Sequence, residues 1–294
     1  MYPRLSTDEY EQKKKQEIKD RLTYYYGQRN ENFKNMIKDV LLKSKLKPQY
    51  LDILLSKEAL EMYGRAFTSN TIHSKFNEVT GKVVEDVNSD DNYEVYEKLG
   101  DSVFQNFIGW YSFRLLRQDR RVVQVKIYAS IKSKYGSREE FSPIAESLGF
   151  WSFISASVYE RTHSKKALLE DVFEAFIGAT SYYLDEKFRY GVGYAICYDI
   201  LSSIMSTIKI ETDFEDLQDY VSKLNEFTLK NKEYVFEYTS DKFENLTTTT
   251  IYRIMPDRSK IVYGVGTAAN KANSKKAAAE NVYKSLKLKG VIKT

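Results

Sequence analysis

From residue 1 to about residue 210 apolar side chains recur mostly at intervals of three and four, the spacing of helices that bury one face. The pattern predicts helices over "EYEQKKKQEIKDRL", "NENFKNMIKDVLLKS", "PQYLDILLSKEALEMYG", Asn92 to about Arg117, "PIAESLGFWSFI", Lys166 to about Lys187, and Tyr190 to Ile208. The polar run "NEVTGKVVEDVNSDD" reads as a loop. Near residues 209 to 217 the pattern changes. "YVSKLNEFTLKN" is a short helix with Val221, Leu224 and Phe227 spaced by three, and "EYVFEYTS", "TTTTIYRIM" and "KIVYGVGTA" carry the β-branched and aromatic alternation of strands. The helix-prone "NKANSKKAAAENVYKSLKL" follows. The expected fold class is an all-α body followed by a small α+β domain of order α-β-β-β-α. Its boundaries fall at 1–60 for an N-terminal helical extension, 61–210 for the main helical domain and 215–294 for the C-terminal one.

At 294 residues and 42% hydrophobic composition, the chain can build a core in each domain. The net charge of +4 is unevenly spread: from Val221 onward 14 Lys/Arg stand against 7 Asp/Glu, or +7, which leaves −3 for the rest. A basic tail of this kind points to a polyanion, and on charge alone a solvated basic surface is the alternative. A single cysteine, Cys197, excludes an intrachain disulfide framework, and His73 and His163, without partner cysteines, argue against zinc. The N-terminus has no apolar signal region, and the most apolar later stretch, "YGVGYAICYDILSSIMSTI", is broken by Asp199 and several serines. The expectation is an intracellular, cytoplasmic protein without a membrane span.

The chemistry gathers in two places. In "NYEVYEKLGDS", Glu94, Glu97 and Asp101 lie at spacings of three, four and seven, near one side of a helix. In "LLEDVFEAFIGA", Asp171 and Glu174 repeat the spacing of three. If these helices pack together, Glu97, Asp101, Asp171 and Glu174 converge as an oxygen-only donor set, which suits Mg²⁺, with Mn²⁺ as the alternative. Gly100, inside the first helix, costs about 1 kcal/mol and marks a close approach of another backbone or a ligand. Either segment alone reads better as a solvated acidic face; their joint occurrence favours a site.

"NYEVYEKLGDS" resembles the ribonuclease III signature N-x-E-x-L-E-F-L-G-D-S, and "LLEDVFEAFIGA" is similar to that family's second acidic motif. "SPIAESLGF" resembles the segment between them, so the resemblance spans about Ala66 to Thr207. The following unit is similar to the double-stranded-RNA-binding domain that many of these enzymes carry. "FTSN", "YGSREEFSPIAESLGFW" and "GVGYAICYDIL" resemble the ribonuclease III-like proteins of large nucleocytoplasmic DNA viruses. The resemblance implies an endoribonuclease that cleaves double-stranded RNA by Mg²⁺-dependent hydrolysis. Its catalytic and metal-binding acids would be Glu97, Asp101, Asp171 and Glu174, with Glu94 in support. Glu226 would meet a 2′-hydroxyl, and Lys271 with Lys275, or Lys275 with Lys276 in a second register, would meet phosphates.

Departures from the family pattern sharpen these expectations. Lys98 stands where the family has a phenylalanine that plugs a second subunit, which implies a homodimer with an altered contact. A lysine one position from Glu97 diverges from it by about 100° on the helix, so spacing argues against Lys98 reaching the acids. Glu170 adds a charge that either tunes metal affinity or faces solvent. The family's Gly-Pro-x-His loop is missing from "TSDKFENLTTT". These departures motivate the alternative of a protein that keeps the fold without turnover, as a double-stranded-RNA-binding or ribonucleoprotein structural subunit.

Overall fold

In the computed structural model one helix, Lys165–Lys187, is the axis of the larger of two units. Residues 7–44, 46–72, 74–77, 82–85, 92–118, 125–135, 138–208, 210 and 217–292 are described. The chain separates into two compact units after Ile210. In the first, α1 (Thr7–Arg21), β1 (Tyr24–Tyr25), α2 (Glu31–Leu42), α3 (Pro48–Leu54) and α4 (Lys57–Ala66) lead into β2 (Ser74–Asn77) and β3 (Lys82–Glu85). Then come α5 (Glu94–Gln118), α6 (Val125–Tyr135), α7 (Arg138–Ser147), a 3₁₀ turn at Phe150–Phe153, β4 (Ala156–Ser157), α8 (Val158–His163), α9 (Lys165–Lys187) and α10 (Val192–Met205).

Between Leu168 and Leu184 of α9, every residue except Asp171 and Tyr182 is buried, as expected of a helix that is apolar nearly all round. Helices α3, α4, α5, α7, α8 and α10 lie against it. Aromatic rings fill the spaces: Phe104 meets Phe141 at 4.4 Å and Phe173 at 5.3 Å, and Tyr63 stacks on Phe176 at 5.2 Å. No described helix is long and apolar enough to cross a membrane.

Several local expectations are corrected. The helix expected over "PQYLDILLSKEALEMYG" is two, because Ser56 caps a new start by accepting the Ala59 N–H at 3.3 Å. "PIAESLGFWSFI" breaks after Ser147, where Gly149 takes φ 82° and a 3₁₀ turn follows. The run read as a loop contains β3, which pairs antiparallel with β2 at its start, with Phe76 and Val83 as register partners. Helices α6 and α8 were not expected at all.

The N-terminal residues are fastened to this unit by one arginine. Arg29 donates to the carbonyls of Gly27 (3.0 Å), Phe153 (2.5 Å), Gly64 (3.2 Å) and Phe67 (3.1 Å), and to the Ser155 hydroxyl (3.3 Å). Burial lowers its pKa to about 10, so it stays charged at neutral pH. The guanidinium thereby satisfies carbonyls at the end of α4 that have no partner within the helix.

In the second unit α11 (Tyr220–Lys230) precedes the antiparallel sheet β5 (Val235–Phe243), β6 (Leu246–Ile254), β7 (Lys260–Ala268), and α12 (Lys271–Leu288) closes it. Leu224, Phe227, Ile251, Ala278, Ala279, Val282 and Leu286 form its core. The alanines let α12 sit hard against β7: a Cβ on Gly266 would lie 2.2 Å from the Ala278 nitrogen. Strands β5 and β6 stay in register to Phe243 and Leu246, so the segment "TSDKFENLTTT" is a tight hairpin with Glu244 at φ 50°.

Candidate metal centre

Two glycines bring the acidic segments together. A Cβ on Gly100 would lie 1.9 Å from the Glu174 carbonyl oxygen, and one on Gly178 would lie 2.0 Å from that of Tyr96. Helices α5 and α9 therefore touch backbone to backbone, and the acids one turn before each glycine face each other. Carboxylate oxygens of Glu97, Asp171 and Glu174 all lie within 4.8 Å of one another. Glu97 and Glu174 are each only 6% exposed.

Burial, followed by the charges of Glu170, Asp101, Glu97 and Asp171, pushes the Glu174 carboxyl up to about 8. The set is thus short of positive charge, and its donors are all hard oxygens. Both properties fit a divalent cation such as Mg²⁺.

The remaining expected residues are placed as follows. Asp101 is exposed, one turn further along α5 and outside the converging set, yet near enough for its charge to act on Glu174. Glu94 is exposed and accepts a hydrogen bond from the Asn70 side chain. Glu170 does not face solvent: at 3% exposure it is buried beside Glu174. Lys98 corrects the helical-spacing expectation, since its long stem folds back and Nζ donates to Glu97 Oε1 at 2.8 Å. Its side chain nevertheless remains 75% exposed.

A supporting layer escaped the sequence. The Tyr93 phenol donates to Asp171 Oδ2 at 3.2 Å. Ser69 and Thr71 donate to the Glu160 carboxylate at 2.6 and 2.7 Å. The available signal was position alone: Tyr93 stands inside the acidic motif and Ser69 inside "FTSN".

In the second unit Lys271 opens α12 and Lys276 is exposed. Lys275 lies over the Tyr238 ring, 4.7 Å from its centroid. Lys276 helps to hold down the pKa of Asp219, the residue that caps α11. Glu226 accepts a hydrogen bond from the Gln218 side chain at 2.9 Å.

The Ribonuclease III domain profile matches residues 94–186 and the double-stranded RNA binding motif matches residues 220–286. A ribonuclease 3-like protein of Invertebrate iridescent virus 6 is 32% identical over 280 residues, 90% of either chain. This chain belongs to the ribonuclease III family. Another ribonuclease 3-like protein of this family, from Frog virus 3, is 33% identical over 188 residues, which cover 63% of this chain and 46% of that protein. The viral character of the resemblance is thus met by viral relatives. The nuclease domain of ribonuclease III from Campylobacter jejuni aligns in structure with a TM-score of 0.40 at 21% identity, covering 60% of this chain and 97% of that one. As a ribonuclease III family member, the chain pairs a helical domain of the endoribonuclease class with a double-stranded-RNA-binding domain.

Proposed function

We propose that this chain cleaves double-stranded RNA by Mg²⁺-dependent hydrolysis of phosphodiester bonds, with Mn²⁺ able to substitute. The observation that carries the reading is the convergence of three carboxylate oxygens within 4.8 Å at the α5/α9 crossing. Glu97, Asp171 and Glu174 would hold the cation, with Asp101 as the exposed fourth acid of the site. When bound, such a cation lowers the pKa of a water and stabilises charge on the leaving oxygen. The chain's own part is to fix the acids on rigid helices and to keep bulk water away from Glu97 and Glu174, which raises the worth of their charges. Lys271, Lys275 and Lys276 would meet RNA phosphates, and Glu226 a 2′-hydroxyl. In this reading residues 61–210 form the nuclease domain, 215–294 the RNA-binding domain and 1–60 a helical extension. A free, buried Cys197 suits a reducing compartment, and we place the protein in the cytoplasm.

The test is cleavage of long duplex RNA by the full chain with Mg²⁺. Glu174→Gln should slow cleavage by at least about 100-fold while leaving RNA retention on a filter unchanged. Equal rates for the two proteins would overturn the reading. One contact favours the second reading of an RNA-binding protein without turnover: the Lys98 ammonium on Glu97 occupies an acid that the cation would use. Retention of duplex RNA with no cleavage by the wild type would establish that alternative.

We also propose a homodimer. Val95, Leu99, Trp110 and Phe113 are exposed along α5 at spacings of four, eleven and three, which keeps them near one side of the helix. A second copy would cover this apolar stripe, and Lys98 beside it would alter the contact. Sedimentation velocity should give a dimer at micromolar concentration. A monomer throughout that range would sink the proposal.

A further inference from the structure

Tyr93 is tied down at three points just ahead of α5. Its N–H donates to the Thr68 carbonyl at 2.9 Å, and its own carbonyl accepts the Glu97 N–H at 2.8 Å. Its ring is buried, at 6% exposure, and its phenol reaches across to Asp171 on α9. The turn that holds its backbone is itself fixed, because Arg29 donates to Phe67, and Ser69 and Thr71 both donate to Glu160. Ser69 and Thr71 donate to Glu160, whereas the Tyr93 phenol donates to Asp171.

Asp171 is half-buried beside three further acids, and their repulsion would turn its carboxylate toward water. A lysine could restrain it only by adding a charge that competes with a metal. A neutral phenol holds one oxygen in place and adds no charge. We propose that Tyr93 is a positioning residue of the metal centre, presenting Asp171 to a divalent cation together with Glu97 and Glu174. This inference rests on the metal-dependent reading above and extends it to a side chain outside the acidic set.

Tyr93→Phe keeps the ring and removes only the donor. Calorimetric titration of the full chain with Mg²⁺ or Mn²⁺ should show affinity weakened 10- to 100-fold, with the thermal midpoint in EDTA almost unmoved. Cleavage by the variant should recover toward the wild-type rate as metal is raised. Tyr63→Phe is the comparison, since Tyr63 is also buried but bonds Thr180 at 2.9 Å. It should lower the midpoint and leave metal affinity alone. If Tyr93→Phe binds metal as tightly as the wild type, or loses no more affinity than Tyr63→Phe, the inference is overturned while the nuclease reading stands. A wild type that binds no metal overturns both.

Discussion

Gly178→Ala is expected to destabilise the larger unit by about 3 kcal/mol or more and to abolish metal binding with it. In an ordinary helix the same change would stabilise, since alanine exceeds glycine by about 1 kcal/mol in helix propensity. Here the new Cβ would sit 2.0 Å from the Tyr96 carbonyl oxygen and 2.7 Å from the Gly100 nitrogen. Both are backbone atoms of α5, which cannot rotate away as a side chain can. The two helices must separate, and Glu174, one turn before Gly178, is carried away from Glu97. Gly109→Ala is the control on α5, because its Cβ would meet only the movable Tyr128 hydroxyl, at 3.1 Å. For a unit of this size the loss corresponds to a fall in midpoint of roughly 6–12 °C. Differential scanning calorimetry in EDTA reads the fall, and metal titration reads the site. A Gly178→Ala protein as stable as Gly109→Ala would disprove the account of the crossing.

Gly100 signalled this crossing in the sequence, because a glycine inside a helix is costly unless something needs the space. The acids were legible for a related reason: spacing on one helix is a local property, and Asp171 with Glu174 needed only a three-residue interval. What joins them was not local. Tyr93 reaches Asp171 across 78 positions and Ser69 reaches Glu160 across 91. No periodicity encodes such pairs, which exist only once α5, α8, α9 and the turn at residues 67–72 have docked. Lys98 shows the limit of helical geometry as a guide, because spacing fixes where a Cβ points but not where four further methylenes carry an ammonium. The strands of the second unit were read well, since alternation is written residue by residue. The α3/α4 break was hidden because Leu54 and Ala59 continue an apolar pattern through Ser56, and only the cap reveals the interruption.

Raising the pH from about 4.5 to about 8 should destabilise the metal-free protein, and a divalent cation should reverse the trend. Glu174 in the folded chain titrates at about 8, against an ordinary value of 4.5. Below 4.5 both folded and unfolded chains hold its proton, and the group contributes nothing to the pH dependence. Between the two values the unfolded chain has released the proton and the folded chain keeps it, so stability falls as pH rises. The slope from this group reaches at most about 1.4 kcal/mol per pH unit, and it vanishes above about 8, where both states are ionised. A cation binds the ionised carboxylate, so near neutral pH its binding should expel about one proton. Thermal midpoints in EDTA should therefore decline across this window, and Mg²⁺ should raise the midpoint more at pH 8 than at pH 5. Titration calorimetry in buffers of different ionisation enthalpy should count the released proton. Glu174→Gln carries no titrating group at this position, so its midpoints should decline less with pH and its weakened metal binding should release fewer protons. A wild type and a Glu174→Gln protein with parallel profiles in EDTA would show that Glu174 is ionised well below neutral pH. In that event, Lys98 or another cation would have to be meeting the charge of the cluster before any metal arrives.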